Sequence, residues 1–430
     1  VRLDTMKHFS TIILLAGALV QLSARPPQDL NLRNYDYVYV DHIKTVRFHP
    51  GSLIVGFPAI ELFSNAQLYF SFDDFQDEVH TYTYTLVHCN ADWTPSNLAP
   101  TEYLNGFEEE TIDTYEFSFN TTTPYTHFFM ALPNNDMRPT KSGNYLLHVF
   151  DDEDERFPVI TRRFVVVENI MQVAARLVRP SVVSKSNTHQ EIDFQVAHPG
   201  IDVRNPRLEV SAFILQNGRW DNAVKNLKPL FVRGEELSFD YQDKVVFPAG
   251  KEFRPVDLRS FRYPSPEVAN VESYPDGIDI TLYKDDKRVL QPYFEYQDLD
   301  GRYFVETQDG SDPELQSDYA SVLFTLYSPT EYDDADVFVF GAFTDWQLKP
   351  ENQMVYNDRV NGYVADLFLK QGYYDYYYAV APRDGGPPSI DDTEGNWYET
   401  ENEYAILIYY RPFGERYDRL VAYHSFSSRQ

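Results

Sequence analysis

The chain has 430 residues, a formal net charge of −29, and aromatic side chains at 16% of positions. Nucleic acid and anionic membrane carry negative charge of their own, so that balance excludes both as binding surfaces. The length allows about two to four domains of roughly 100–200 residues, and 33 Tyr and 31 Phe against 5 Met favour strands over helices.

The first predicted element is a signal peptide over residues 1–24. Met6-Lys7-His8 gives a basic start, "TIILLAGALVQL" an apolar core, and Ser23-Ala24 a small-residue cleavage site. The apolar core is shorter than the roughly 20 residues a spanning helix needs. No Cys follows it, so no lipid anchor is expected. The expected product is an exported protein without a direct membrane anchor.

Strand patterns follow. "AQLYFSFDDF", "HTYTYTLVHC", "TYEFSFNTTT", "THFFMALP", "GNYLLHVFDD" and "ITRRFVVVEN" are separated by turn chemistry at Asn65, Pro100, Asn134-Asn135 and Gly143. Short strands at even spacing predict a β-sandwich, here the first domain, residues 25–168. A second series runs from "AARLVRPSVV" to "YASVLFTLYSP" and predicts a second sandwich over 169–329. "PAGKEFRPVDLRSFRYPSPEV" interrupts it and, with its prolines, reads as an ordered crossing loop rather than a helix. Pro329 to Asp334 reads as a linker to a third domain, 330–430. The fold class is therefore all-β: three immunoglobulin-like β-sandwiches in series after a signal peptide.

The third domain contains "GYYDYYYAV", residues 372–380. With the period of two that a strand imposes, Gly372, Tyr374, Tyr376, Tyr378 and Val380 form a charge-free face, which reads as core. Tyr373, Asp375, Tyr377 and Ala379 form the other. An acid between two aromatics predicts a face that is partly wet and open to docking.

Motifs for catalysis are missing. The chain has no G-x-S-x-G, H-E-x-x-H, P-loop or paired C-x-x-C. No catalytic, cofactor-binding or metal residues are assigned. The acids of residues 151–155 have calcium-compatible oxygens but read better as a charged hairpin tip between Val149 and Val159. Cys89 is the single cysteine, placed at the end of an apolar strand, where a buried and inert thiol is expected.

Two resemblances add to this. Gly341, Phe343, Trp346, Met354, Gly372, Tyr374, Tyr376 and Tyr378 resemble the pattern of early-set immunoglobulin-like modules that bind glycogen and starch. Most of these are core and turn positions, so the resemblance concerns fold more than sugar. Five further stretches together resemble the plug proteins of the type IX secretion system of Bacteroidetes: "HCNADWTPSNLAPTEYLNGF", "SGNYLLHVF", "NGRWDNA", "FPAGKEFRPVDLRSFRY" and "TEGNWYETENEYAILIYYRPFGERYDRLVAY".

That resemblance implies a non-enzymatic periplasmic protein that closes the periplasmic side of the outer-membrane translocon barrel when no export is under way. The implied partner is the barrel protein, met by a monomer held within a larger complex. A reversible contact calls for aromatic or Arg anchors. The candidates are Trp93, Tyr103, Trp220, Arg254, Arg259, Arg262, Tyr373, Tyr377 and Trp397. The alternative is a periplasmic carbohydrate-binding β-sandwich protein, with Trp397 able to stack on a sugar.

Overall fold

The computed structural model describes residues 32–153 and 156–429; the expected signal peptide lies outside them. The described residues are nearly all strand and turn, and their α-helices are single turns such as Pro100–Tyr103 and Pro313–Gln316. This matches the all-β expectation.

The first sandwich packs two sheets. One has the order Tyr37–Val38, Phe157–Val167, Gly143–Asp151, Tyr82–Cys89, Glu109–Thr111, with Ala59–Glu61 parallel to Phe157–Val167. The other runs Ile43–Pro50, Leu68–Asp74, Thr126–Leu132, Tyr115–Phe117. Alternating residues of both sheets, among them Phe70, Phe72, Phe128, Tyr82, Tyr145 and Phe164, form one core. Asp151 pairs with Phe157 across a turn, so the acidic run is a hairpin tip. Asp154 and Glu155 lie outside the described residues, and among those described no cluster could hold a metal ion.

The second sandwich is assembled from both sides of the third. Strands Gln172–Val178, His189–Ala197, Glu236–Ser238 and Phe231–Arg233 make one sheet. The facing sheet runs Val224–Leu227, Val210–Gln216, Glu403–Tyr410, Arg419–Ser427. The last two strands come from the end of the chain, where the sequence reading placed the third domain. Ile406 and Ile408 share a core with Val210, Ile214 and Phe194.

The third core is enclosed by one nine-stranded sheet that includes Val268–Tyr274, Gly277–Leu282, Tyr319–Tyr327 and Gly372–Pro382. The expected boundary at residues 329 and 330 therefore cuts through a sheet: Tyr319–Tyr327 pairs with Gly362–Lys370 along its whole length. Local alternation reveals strands but not which distant strand completes a sheet, and here that choice is non-local.

The proline-rich insert, expected as an ordered crossing loop, also contributes a strand. Arg254–Asp257 is a strand paired with Gly372–Pro382. Pro255 is tolerated because this strand ends the sheet, where a missing N–H costs no ladder bond.

Candidate functional surface

Strand Gly372–Pro382 has neighbours on both edges: Arg254–Asp257 on one, Tyr303–Val305 followed by Ala335–Phe340 on the other. Two glycines permit the close packing. A Cβ on Gly372 would lie 2.4 Å from the Phe304 carbonyl oxygen, and one on Gly341 would lie 2.6 Å from that of Asp375. Tyr374, Tyr376 and Tyr378 are core, as expected.

The opposite face departs from the expectation of a wet surface. Tyr377 is 2% exposed and Asp375 is fully buried. Phe253 stacks on Tyr377 at 3.7 Å between ring centres, and the Tyr377 hydroxyl donates to the Lys251 carbonyl. Asp375 accepts the backbone N–H groups of Leu299 and Gly301. Burial, reinforced by Asp298 and Asp300, pushes its carboxyl up to about 8. Burial likewise raises Asp300 to about 7 and Asp298 to about 6. An acid whose neutral form is favoured at neutral pH does not mark solvent. Only Tyr373 on this face is partly exposed.

The other candidates divide by burial. Trp93 and Trp220 are 6% and 8% exposed, and their rings meet edge-on at 5.0 Å. The Arg163 guanidinium lies 5.4 and 5.3 Å from the two ring centres. Tyr103 is buried in the first core, its hydroxyl donating to the Leu86 carbonyl at 3.1 Å. Arg254 is buried too. Its Nε lies 3.0 and 3.1 Å from the two Glu394 oxygens, and its Nη1 is 2.7 Å from Asp285. Burial removes Trp93, Tyr103, Trp220, Arg254 and Tyr377 from any contact made by the folded surface.

Arg259, Arg262 and Trp397 remain accessible. Arg259 holds Asp257 at 2.6 Å and Glu306 at 2.9 Å. Arg262 is exposed. Trp397 is 43% exposed and stacks on Tyr293, with ring centres 5.7 Å apart.

Trp93 and Trp220 have a shared role: they fasten the first and second sandwiches together. Trp93 of the first sandwich meets Trp220 of the second within an apolar seam that also joins Leu146 and Val165 to Phe213, Leu215 and Leu407. The Tyr409 hydroxyl crosses this seam to Asn144 at 2.6 Å. Cys89 sits in the same seam, where burial raises its thiol to about 12, leaving it inert. Glu394, between Arg254 and Arg288 (Nε 2.6 Å), is also fully buried.

The junction of the first sandwich with the third is ionic. Lys370 Nζ donates to Asp73 Oδ2 at 2.6 Å and to the Glu314 carbonyl at 2.9 Å. The Tyr319 hydroxyl donates to Asp73 at 2.5 Å, His127 lies 2.6 Å from its other oxygen, and Arg47 pairs with Glu314. Burial alone would raise the Asp73 carboxyl, but Lys370 and His127 outweigh it and hold it at about 2. Sequence reasoning missed Asp73, Lys370 and Glu394. For Asp73 and Lys370 the only signal was a charge within an otherwise strand-like run, and Glu394 stands in a turn-rich segment that gives none.

A cleft of about 430 Å³ opens beside this junction, lined by Ile43, Tyr303, Phe343 and Leu369. Several of its charges are already matched: Asp345 takes Arg162 at 3.3 Å and Lys349 at 3.1 Å. Among the described residues we find no acid and base converging on a nucleophile there.

A family model described as the first domain of the type 9 secretion system plug protein matches residues 43–168. A hypothetical protein from Parabacteroides merdae ATCC 43184, known from a crystal structure, is 33% identical. That likeness covers 92% of this chain and 100% of that one, with a TM-score of 0.89. A putative membrane anchored protein from Corynebacterium diphtheriae overlaps 89% of this chain and 90% of its own at 8% identity, but its TM-score of 0.12 carries no argument. No curated protein matches.

Proposed function

This chain belongs to the type 9 secretion system plug protein family, and we propose that it closes the periplasmic side of the outer-membrane translocon barrel between export events. Membership gives it a role in type IX secretion and an association with the cell envelope, in a family of non-catalytic components. The finer reading is ours: a periplasmic, non-enzymatic plug, free of cofactors, whose partner is the barrel protein.

The observation that carries this reading is the way the sandwiches are joined. A plug must resist deformation. Beads on flexible linkers would not, whereas packed interiors have low compressibility. Here each junction is a buried seam, one apolar around Trp93 and Trp220, one ionic around Asp73 and Lys370. Arg259, Arg262, Tyr373 and Trp397 are the accessible anchors we propose for the barrel contact.

Deletion of the protein should admit large hydrophilic dyes or antibiotics that intact cells exclude. The leak should vanish when the barrel is deleted as well. Equal leakage in the double deletion would overturn the reading. The stacked, half-exposed pair Trp397 and Tyr293 favours carbohydrate as a second reading; retention on a glucan column, lost in Trp397→Ala, would support it.

A further inference from the structure

The first sandwich is open along one side. Its two sheets end there in consecutive strands, Glu109–Thr111 and Tyr115–Phe117. The second of these pairs only with Thr126–Leu132. Phe129 donates to the Thr114 carbonyl at 3.1 Å and Ser118 to that of Tyr125 at 2.9 Å. Thr114, Glu116 and Ser118 thus turn their backbone groups inward, and Tyr115 and Phe117 turn theirs to the free edge. Among the described residues those outward groups of Tyr115 and Phe117 have no backbone partner, whereas the next one along, the N–H of Phe119, donates to the Leu315 carbonyl at 3.0 Å and closes the edge there.

The side chains on this edge are unusual for a solvated one. Tyr115, Phe117 and Phe119, two residues apart along the chain, share a face and are 42%, 62% and 47% exposed. That face is the inner one, because the Tyr115 ring sits 5.4 Å from the buried Phe128 ring. The core therefore runs out to solvent here. One more strand would cover it.

Charge identifies the occupant. Glu108, Glu109, Glu110, Asp113 and Glu116 flank the aromatic row along the chain, and among the described residues their one ion pair is Glu109 with Arg156. Such a fringe repels a second copy of the chain, a recognised way to protect a sheet edge. It attracts a segment bearing Lys or Arg.

We propose that Tyr115–Phe117 is a strand-addition site for one extended segment of a partner protein, with apolar side chains at alternate positions and basic residues between them. Main-chain bonds to Tyr115 and Phe117 would give affinity, and the aromatic row with its acidic fringe would give selectivity.

The test uses the full chain and two synthetic peptides, one alternating valine with lysine and one alternating valine with glutamate. The valine–lysine peptide should slow amide exchange across residues 113–119, and the valine–glutamate peptide should not. Phe117→Pro removes an outward N–H and no internal ladder bond, so it should abolish this protection while the protein still melts as before. The triple change Glu108→Gln, Glu110→Gln, Glu116→Gln alters surface groups only and should weaken peptide binding on the order of tenfold. Protection confined to other segments would overturn the proposal, as would equal binding of both peptides. So would concentration-dependent protection of residues 113–119 in the protein alone, which would make a second copy the occupant.

Discussion

Strand Gly372–Pro382 and strand Tyr115–Phe117 alternate aromatic rings with an acid, and the fold buries one while exposing the other. Asp375 is fully buried and Tyr377 is 2% exposed, whereas Phe117 is 62% exposed and Glu116 lies in solvent. The difference is one of position. The tyrosine strand has paired neighbours on both edges and a lid made by Phe253 and the Leu299–Gly301 turn. The other strand has one neighbour and no lid. Aromatic content therefore predicts a strand, and the number of strands beside it decides whether its acid is neutralised or solvated.

The most severe way to break this contrast is truncation on the two faces of the tyrosine strand. Tyr376→Ala and Tyr377→Ala should each cost about 3–5 kcal/mol, because both empty a filled interior site. Denaturant unfolding measures this directly. A loss below about 1 kcal/mol for Tyr377→Ala, the range of an exposed site, would mean that the second face is open after all.

A smaller effect comes from the buried acid itself. Burial pushes Asp375 up to about 8 in the folded protein, against roughly 3.9 for an unperturbed Asp. Between those values the folded state binds more protons than the unfolded one. The contribution is therefore complete below about pH 4 and is lost as pH rises through about 8. Wild-type stability should thus fall from about pH 6 to about pH 9, and Asp375→Asn, which copies the neutral carboxyl, should fall less over that range. Denaturation midpoints at several pH values read the difference. An unchanged slope in the variant would place the titration elsewhere.

The smallest effect is expected at the exposed edge. Phe117→Ala should change stability by no more than about 0.5 kcal/mol, as at other surface positions. A loss of several times that amount would show that Phe117 belongs to the core it adjoins.

Strand content, the charge-free tyrosine face and the hairpin at the acidic run were legible because alternation and turn chemistry are local signals. The surroundings of the second tyrosine face were not. Its lid comes from Lys251, Phe253 and residues 298–301, brought there by chain crossing rather than by adjacency in sequence. The same limit applies to the candidate anchors. Trp93 and Trp220 lie far apart in sequence, and nothing local says that their rings meet. Of the five stretches that carry the family resemblance, the first and third form the Trp93–Trp220 contact, and the fourth and fifth join through Arg254 and Glu394. These contacts are buried, so their residues marked the family without marking a contact surface.

The return of the chain from the third sandwich to the second also has a temporal meaning. Strands Glu403–Tyr410 and Arg419–Ser427 follow the third sandwich in the chain yet form half of a four-stranded sheet begun at Val210–Gln216. A chain that emerges N-terminus first has the whole third sheet in hand while Val210, Ile214 and Phe194 of the second still wait for their partners. The interval is a window for chaperones or proteases to act. A break just before residue 403 would leave the third sheet whole and the second sandwich unfinished.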